Sequence, residues 1–276
     1  MNSSIARKHA YIFIASFTVI VLLLFKSVAV ANELILGVVP QQSVVKLTRI
    51  WSPLAKLLSS ELNVPVKLHG SADISVFESR LVAREFDIAY VNPKQYVLSK
   101  KTSNFRVLAR EKDKKLQGII VVRKNSQLRS LDELSGKNIV FPKHAFAADL
   151  ITRAYLKKQG IPHISHFAPT HDAAYSLVAL GKMDAAGGVV RTFNSQNQRI
   201  KENLIVFKKL DGLTPHAFIV NPQLNETMQA KIQSVLLKLQ NEKIGQTFLQ
   251  AMGFNSLVKA DDSEWNDIRE LMGDDL

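Results

Sequence analysis

Beyond residue 31 the chain alternates short apolar runs with longer stretches in which apolar residues recur every three to four positions. Short runs bounded by turn residues read as buried strands, and the longer recurrence reads as helices with one buried face. Residues 34–39 form the first run, ending at Pro40. Residues 43–62 follow, with Val44, Leu47, Ile50, Leu54, Leu57 and Leu58 at helical spacing. Pro53 lies inside that stretch and should kink the helix or split it in two, because it has no N–H and crowds the preceding turn. A strand over 64–68, a helix capped by Asp73 and running to Val82, and a strand over 87–91 complete a first series. Asn92-Pro93 breaks that last strand and starts another helix.

Residues 105–110 and 116–123 read as consecutive strands across the charged turn 111–114, and a short helical turn over 130–134 stops at Gly136. A second alternation then runs as strand 138–141, helix 145–159, strand 163–167, helix 172–180 and strand 185–190. Further strands are expected over 204–208 and 217–220, and helices over 226–242, 244–252 and 262–272. Such alternation predicts an α/β fold whose sheets are largely parallel. The helical tail has no full sheet of its own, so it must bury its apolar face on an earlier lobe. If it returns to the first lobe, two connections cross the junction, near 115–120 and 212–217. Two lobes joined twice make a hinge, and the cleft between them is the natural ligand site. The expected division is a leader over 1–31, lobe one over 32–116, lobe two over 117–216, and a return to lobe one over 217–276.

The leader changes the compartment. Arg7 and Lys8 precede an apolar run over 10–25, and Ala29-Val30-Ala31 is a small-x-small cleavage signature, so the expected mature chain begins at Asn32. The alternative is an uncleaved anchor, since the run approaches the length of a membrane span. With no cysteine in 276 residues, disulfides, thiolate catalysis and a lipidated cysteine are excluded. Loss of Arg7, Lys8 and Lys26, with no acid, lowers the formal charge from +12 to +9. The basic residues are scattered, and export argues against nucleic acid as a partner, which leaves a weak preference for an anionic solute.

Several segments carry more than periodicity. They are Gly37-Val38-Val39-Pro40-Gln41-Gln42, Trp51-Ser52-Pro53-Leu54, and the stretch 86–93 with Tyr96. Thr170-His171-Asp172-Ala173-Ala174-Tyr175, Gly181-Lys182-Met183-Asp184-Ala185 and Leu213-Thr214-Pro215-His216-Ala217 belong with them. Together and in this order they resemble the phosphate/phosphite/phosphonate family of ABC-importer solute-binding proteins. The resemblance implies a two-lobed type II periplasmic-binding fold, each lobe a mixed, mostly parallel sheet flanked by helices and hinged by two crossover strands. It also implies a periplasmic monomer that clamps a small anionic solute for an ABC permease, with no cofactor. A sensory protein that reports to a membrane kinase or cyclase would use the same clamp and is the alternative.

The resemblance also nominates residues. Where phosphonate binders carry an aromatic-x-Gly-Pro-x-x-x-Tyr stretch, this chain has Tyr90, Asn92, Pro93 and Tyr96. A strand end running into a helix start exposes backbone N–H groups, which suits an anion; the alternative is that both tyrosines are core aromatics. The family's Ser-Thr-Ser cluster is replaced by Ala145-Phe146-Ala147, so the hydroxyls are gone, leaving helix amides, Lys143 or His144, and an apolar contact from Phe146. The places of two carboxylates that hold an aminoalkyl ammonium read Arg191 and His216. Arginine and histidine disfavour a cation, and a guanidinium suits a bidentate carboxylate, phosphate or sulfonate. Arg191 is otherwise a solvated loop residue, and His216 otherwise bonds across the interlobe strand. His171 matches a family histidine at the anion, unless it belongs to a cap region with Asp172 as the N-cap. Gln41 and Gln42 are further amide candidates, Asp184 reads as structural, and Gly187-Gly188 permits close backbone approach beneath the cleft.

No Gly-x-Ser-x-Gly, P-loop, His-Glu-x-x-His or dinucleotide fingerprint occurs. His163 and His166 fall on opposite faces of a predicted strand, so no metal site is expected. The acids fall on predicted helix surfaces and in the tail, so neither a catalytic pair nor an activated nucleophile is in view, and catalysis is not expected.

Overall fold

The structure, a computed structural model, describes residues 33–273. The expected leader and its cleavage signature lie outside the described residues. Strands β1 (Leu34–Val38), β2 (Val66–His69), β3 (Ile88–Val91) and β4 (Arg106–Glu111) belong to one sheet. Strands β5 (Leu116–Arg123), β6 (Asn138–Pro142), β7 (Ile164–Ala168), β8 (Ala185–Val189) and β9 (Leu204–Leu213) form the second. The chain then returns to the first sheet with β10 (Ala217–Val220) and β11 (Leu257–Lys259). The orders are β11-β4-β10-β3-β1-β2 and β7-β6-β8-β5-β9. In the first sheet β1 pairs parallel with both β2 and β3, while β10 runs antiparallel between β3 and β4. In the second, β6 pairs parallel with β7 and β8, and β5 runs antiparallel between β8 and β9.

The first sheet carries α1 (Val44–Leu62), α2 (Ile74–Val82) and α3 (Pro93–Ser103). Helix α1 is continuous through Pro53, so it is not split. Pro53 deprives the carbonyl of Arg49 of its helical partner, but Arg49 is exposed and water reaches that group. Trp51, Leu54 and Leu58, all fully buried, hold both halves on the sheet. Each contributes roughly 1.5–3 kcal/mol by burial, enough to offset one missing hydrogen bond. Asp73 caps α2 through the Val76 N–H at 2.8 Å, as its position suggests.

Lobe two carries α4 (Thr152–Lys158), α5 (His171–Ala179) and the short helices α6 (Val190–Asn194) and α7 (Gln198–Lys201). Before α4 lies a π-helical stretch, Phe146–Ile151, where an α-helix is expected. Asp149 sets it, accepting from the His144 N–H at 2.9 Å and pairing with Arg153 at 2.5 Å. Gly187 makes room for it, since a Cβ there would overlap the Ala148 carbonyl oxygen. The N-cap of α5 is Thr170, whose hydroxyl accepts from the Ala173 N–H at 3.2 Å, and not Asp172. Asp184 accepts from the Asn138 N–H at 2.9 Å, a structural role as read.

The tail, α8 (Glu226–Leu237), α9 (Lys243–Met252) and α10 (Asn266–Met272), packs on lobe one, and β11 extends that sheet antiparallel to β4. It also anchors both crossovers. The Lys112 N–H donates to the Ser256 carbonyl at 3.1 Å, and Thr214 donates its N–H to Asp267 at 2.8 Å and its hydroxyl to the Glu264 carbonyl at 2.8 Å. Trp265 Nε1 donates to the Pro215 carbonyl at 3.1 Å. No helix among the described residues is long and apolar enough to cross a membrane.

Candidate functional site

Strand order brings the segments that follow β1, β3, β8 and β9 to the junction of the lobes. After β3, Asn92 caps α3: its side-chain oxygen accepts from the Gln95 N–H at 2.9 Å, and Gln95 returns the bond to the Asn92 N–H at 3.0 Å. This capping box uses the amide oxygen and leaves Nδ2 buried without a partner. The β3–β10 register pairs Val91 with Ala217, so the next step sets Asn92 beside His216. His216 stacks on Tyr90, with ring centroids 5.2 Å apart and planes at 18°.

From lobe two, His171 opens α5 and Arg191 lies in the first turn of α6. His171 Nδ1 bonds Thr192 Oγ1 at 3.1 Å, and Thr192 Oγ1 bonds the Tyr175 hydroxyl at 2.9 Å. That hydroxyl in turn accepts from the Val189 N–H at 3.2 Å. Gly188 admits the Tyr175 ring, because a Cβ at this position would overlap its hydroxyl. The relay orients His171 and leaves Nε2 buried and unpartnered; His216 Nε2 is in the same condition. Exposures of 1% for Asn92, 1% for His171 and 4% for His216 mean that bulk water does not satisfy these atoms.

Arg191 is the charged member. Its Nη2 donates to Gln41 Oε1 at 2.7 Å, its guanidinium lies 5.8 Å from the Tyr90 ring centre, and its Nη1 is 4.0 Å from Met252 Sδ. It therefore sits on a partly buried helix start and not in a solvated loop. It forms no ion pair among the described residues. Burial first, and then the Arg191 charge, pushes the His171 pKa down to about 3 and the His216 pKa well below its ordinary value. Burial likewise pushes the Tyr90 hydroxyl up to about 12. Near pH 7 the cluster is one guanidinium among neutral aromatic and amide groups, a setting that favours an oxyanion over a cation.

The two depressed histidines make stability depend on pH. In the unfolded chain each takes a proton near pH 6.5, whereas the folded state resists protonation until far lower pH. Their contribution is therefore complete above about 6.5 and declines as pH falls toward the folded values. Melting temperatures measured from pH 7 to pH 5 should fall in the wild-type protein. They should fall less when His171 and His216 are both replaced by asparagine, and an equal fall in both proteins would refute this origin.

Not every nominated residue joins the cluster. Tyr96 is fully buried inside lobe one, packs edge-on against Trp265 at 4.7 Å, and donates its hydroxyl to Asp262 at 2.5 Å. Three residues beyond Pro93, it lies on the face of α3 turned toward the tail. His144 is exposed on a turn with φ of 62°, and only its backbone N–H is engaged, with Asp149. Phe146 is 2% exposed and packs with the hydrophobic core of lobe one.

Residues 41–46 close the lobes over the cluster, which sequence reasoning identifies only in part. The His171 N–H donates to the Gln41 carbonyl at 3.2 Å and Gln42 Nε2 donates to Ser195 Oγ at 2.9 Å. Lys46 Nζ donates to the Ser195 carbonyl at 2.7 Å and lies 3.6 Å from Asp172. Thr192, Ser195 and Lys46 carry no motif, and no local signal separates them from surface polar residues.

Beside the cluster, on the hinge side, a chamber of about 310 Å³ is walled by Tyr90, Arg191 and His216 together with hinge and α9 residues.

A family model described as ABC transporter, phosphonate, periplasmic substrate-binding protein matches residues 36–265. The chain is 23% identical over 273 residues to the probable ABC transporter phosphite binding protein PhnD1 of Prochlorococcus marinus (strain MIT 9301), covering 90% of this chain and 92% of that protein. The structure of PhnD1 in complex with methylphosphonate, from the same organism, matches with a TM-score of 0.82 at 21% identity, over 88% of this chain and 97% of that one. A binding protein component of an ABC phosphonate transporter from Pseudomonas aeruginosa matches with a TM-score of 0.77 at 16% identity, over 87% of this chain and 85% of that one. These likenesses agree with the two lobes and two crossovers in assigning a type II periplasmic-binding fold.

Proposed function

Because the chain belongs to the phosphonate ABC-transporter periplasmic substrate-binding family, we propose that it closes around a single phosphonate-type oxyanion at Arg191 and presents the closed form to a membrane permease as a monomer. It is a binding component and not an enzyme. Phosphonate, phosphite and phosphate share the head-group chemistry the cluster suits. Export fits this role, with the leader over 1–31 removed before Asn32. Lobe one comprises 32–116 and 217–276, and lobe two 117–216.

The observation that carries the reading is the set of buried, unpartnered side-chain nitrogens from both lobes, Asn92 Nδ2, His216 Nε2 and His171 Nε2, beside a guanidinium without an ion-pair partner among the described residues. Buried polar atoms without partners cost about 1–3 kcal/mol each, a cost a ligand relieves. One proton arrangement makes every member of the relay consistent with an anion. Tyr175 accepts from the Val189 N–H and gives its proton to Thr192 Oγ1, Thr192 gives its own to His171 Nδ1, and His171 Nε2 then carries hydrogen toward the solute. A ligand touching both lobes stabilises only the closed state, so closure is a population shift. Phe146 and its alanine neighbours leave the head group without the hydroxyls of other family members. Recognition therefore rests on Arg191, Asn92, His171 and His216, with Tyr90 as a wall.

Asn92→Asp tests the reading. Aspartate still caps α3, since Asn and Asp are equivalent N-caps, but the amide donor becomes a second anionic oxygen. The melting temperature should change little, while calorimetry with methylphosphonate should show at least ten-fold weaker binding. Undiminished affinity would remove Asn92 from the site.

A further inference from the structure

We infer that residues 41–46 form a latch that closes the lobes through protein atoms alone, and that Lys46 sets how fast a bound solute escapes. With the latch, the free protein divides its time between open and closed forms. The inference rests on the two-lobed clamp reading and concerns closure, whatever the solute.

The segment lies between β1 and the first turn of α1, whose N-cap is Ser43. It grips α6 at both ends. In the first turn, Gln41 Oε1 accepts from Arg191 at 2.7 Å. At the C-cap, Ser195, Lys46 Nζ donates to the carbonyl at 2.7 Å and Gln42 Nε2 donates to the hydroxyl at 2.9 Å. Carbonyls at a helix end lack helical partners, and a cation is favoured there. The same segment holds the start of α5: the His171 N–H donates to the Gln41 carbonyl at 3.2 Å, and Lys46 Nζ lies 3.6 Å from Asp172. The helices that carry Arg191 and His171 are thus fastened to lobe one by atoms other than the unpartnered nitrogens.

Magnitudes make this latch decisive. Each such bond contributes an amount comparable to the cost of one buried, unpartnered polar atom. In the closed form Asn92, His171 and His216 each carry one of those. Gains and costs are of similar size, so losing one charged bond shifts the balance between the forms. The side chains of Lys46 and Asp172 are only 15% and 23% exposed, so water screens the pair in part. Bonds made only in the closed form slow reopening, and their loss is felt in release.

Lys46→Met keeps the aliphatic stem and removes the ammonium. Lys56→Met, at an exposed position of the same helix, controls for the lost charge. In stopped-flow measurements with phosphite and with methylphosphonate, Lys46→Met should release both about ten-fold faster, with association within about two-fold of wild type. The factor should be the same for both solutes, since the latch touches neither, and Lys56→Met should behave as wild type. Small-angle scattering should show a larger radius of gyration for free Lys46→Met than for free wild type, and equal radii at saturating methylphosphonate. Melting curves verify the fold. Unchanged release from Lys46→Met overturns the inference and leaves the clamp standing. So does faster release of one solute alone, which would make Lys46 a solute contact, or an equal effect of Lys56→Met. If neither solute binds, the clamp reading fails and scattering judges the latch: equal radii for the free proteins overturn it, and a larger radius for Lys46→Met supports it.

Discussion

Replacing Arg191 with alanine is expected to weaken binding of a phosphonate about 30-fold or more, the largest effect of any single side chain in the cleft. Truncating one partner of a buried, hydrogen-bonded charge pair costs about 2–5 kcal/mol, because the remaining charge loses its counterpart out of reach of water. Arg191 is suited to that role by its partners: Gln41 takes one nitrogen at 2.7 Å and a thioether lies near another, so the cation is positioned without being neutralised. Arg191→Lys should recover only part of the loss, since an ammonium keeps charge but not the planar fork. Calorimetry on both variants, with melting curves to confirm folding, checks this. An alanine variant that binds like wild type would show that the oxyanion lies elsewhere.

The second large effect is on stability. Gly187→Ala should cost about 3 kcal/mol, the upper part of the range for overpacking a filled interior, and lower the melting temperature by about 6–12 °C for a chain of this size. The added Cβ would overlap a backbone atom, the Ala148 carbonyl, which cannot swing aside as the end of a side chain can. Relief requires β8 and the π-helical segment to separate. Gly70→Ala is the control: nothing lies within 4 Å of its added Cβ, so stability should change by less than about 0.5 kcal/mol. Equal melting curves for Gly187→Ala and wild type would contradict the packing described for lobe two.

These two sites illustrate what was legible in the chain itself. Strands β1, β3, β5, β6, β8 and β10 follow from apolar runs of the right length, and Asn92-Pro93 announces the start of α3 because a capping residue before proline has few other uses. The pair Gly187-Gly188 marked close backbone approach, and the structure shows what approaches: the Ala148 carbonyl on one side and the Tyr175 hydroxyl on the other. Tyr90, Asn92, His171, Arg191 and His216 are brought together from segments up to 126 residues apart, which family order suggested and periodicity alone did not.

What stayed hidden depended on long-range packing. Tyr96 looks like a cleft aromatic until Asp262 and Trp265, supplied by the tail, claim its hydroxyl and its ring. The widened turn at Phe146–Ile151 depends on Asp149 bonding backwards to His144, a side-chain choice that apolar spacing does not record. Helix α6 is only five residues long, below the span that periodicity resolves, so a solvated loop stood as the competing reading for Arg191. Strand β11 is three residues long and exists by pairing with β4. The contacts of Lys46 and Gln42 with Ser195 belong to closure itself and follow from no local pattern.

The central claim is that donors from both lobes converge on one oxyanion. A crystal structure grown with ethylphosphonate tests it most directly. Phosphorus density is expected at the junction, with phosphonate oxygens within hydrogen-bond distance of the Arg191 guanidinium, His171 Nε2 from lobe two, and Asn92 Nδ2 or His216 Nε2 from lobe one. Phosphonate bound on the outer surface of one lobe, with Arg191 still held by Gln41 alone, would contradict it.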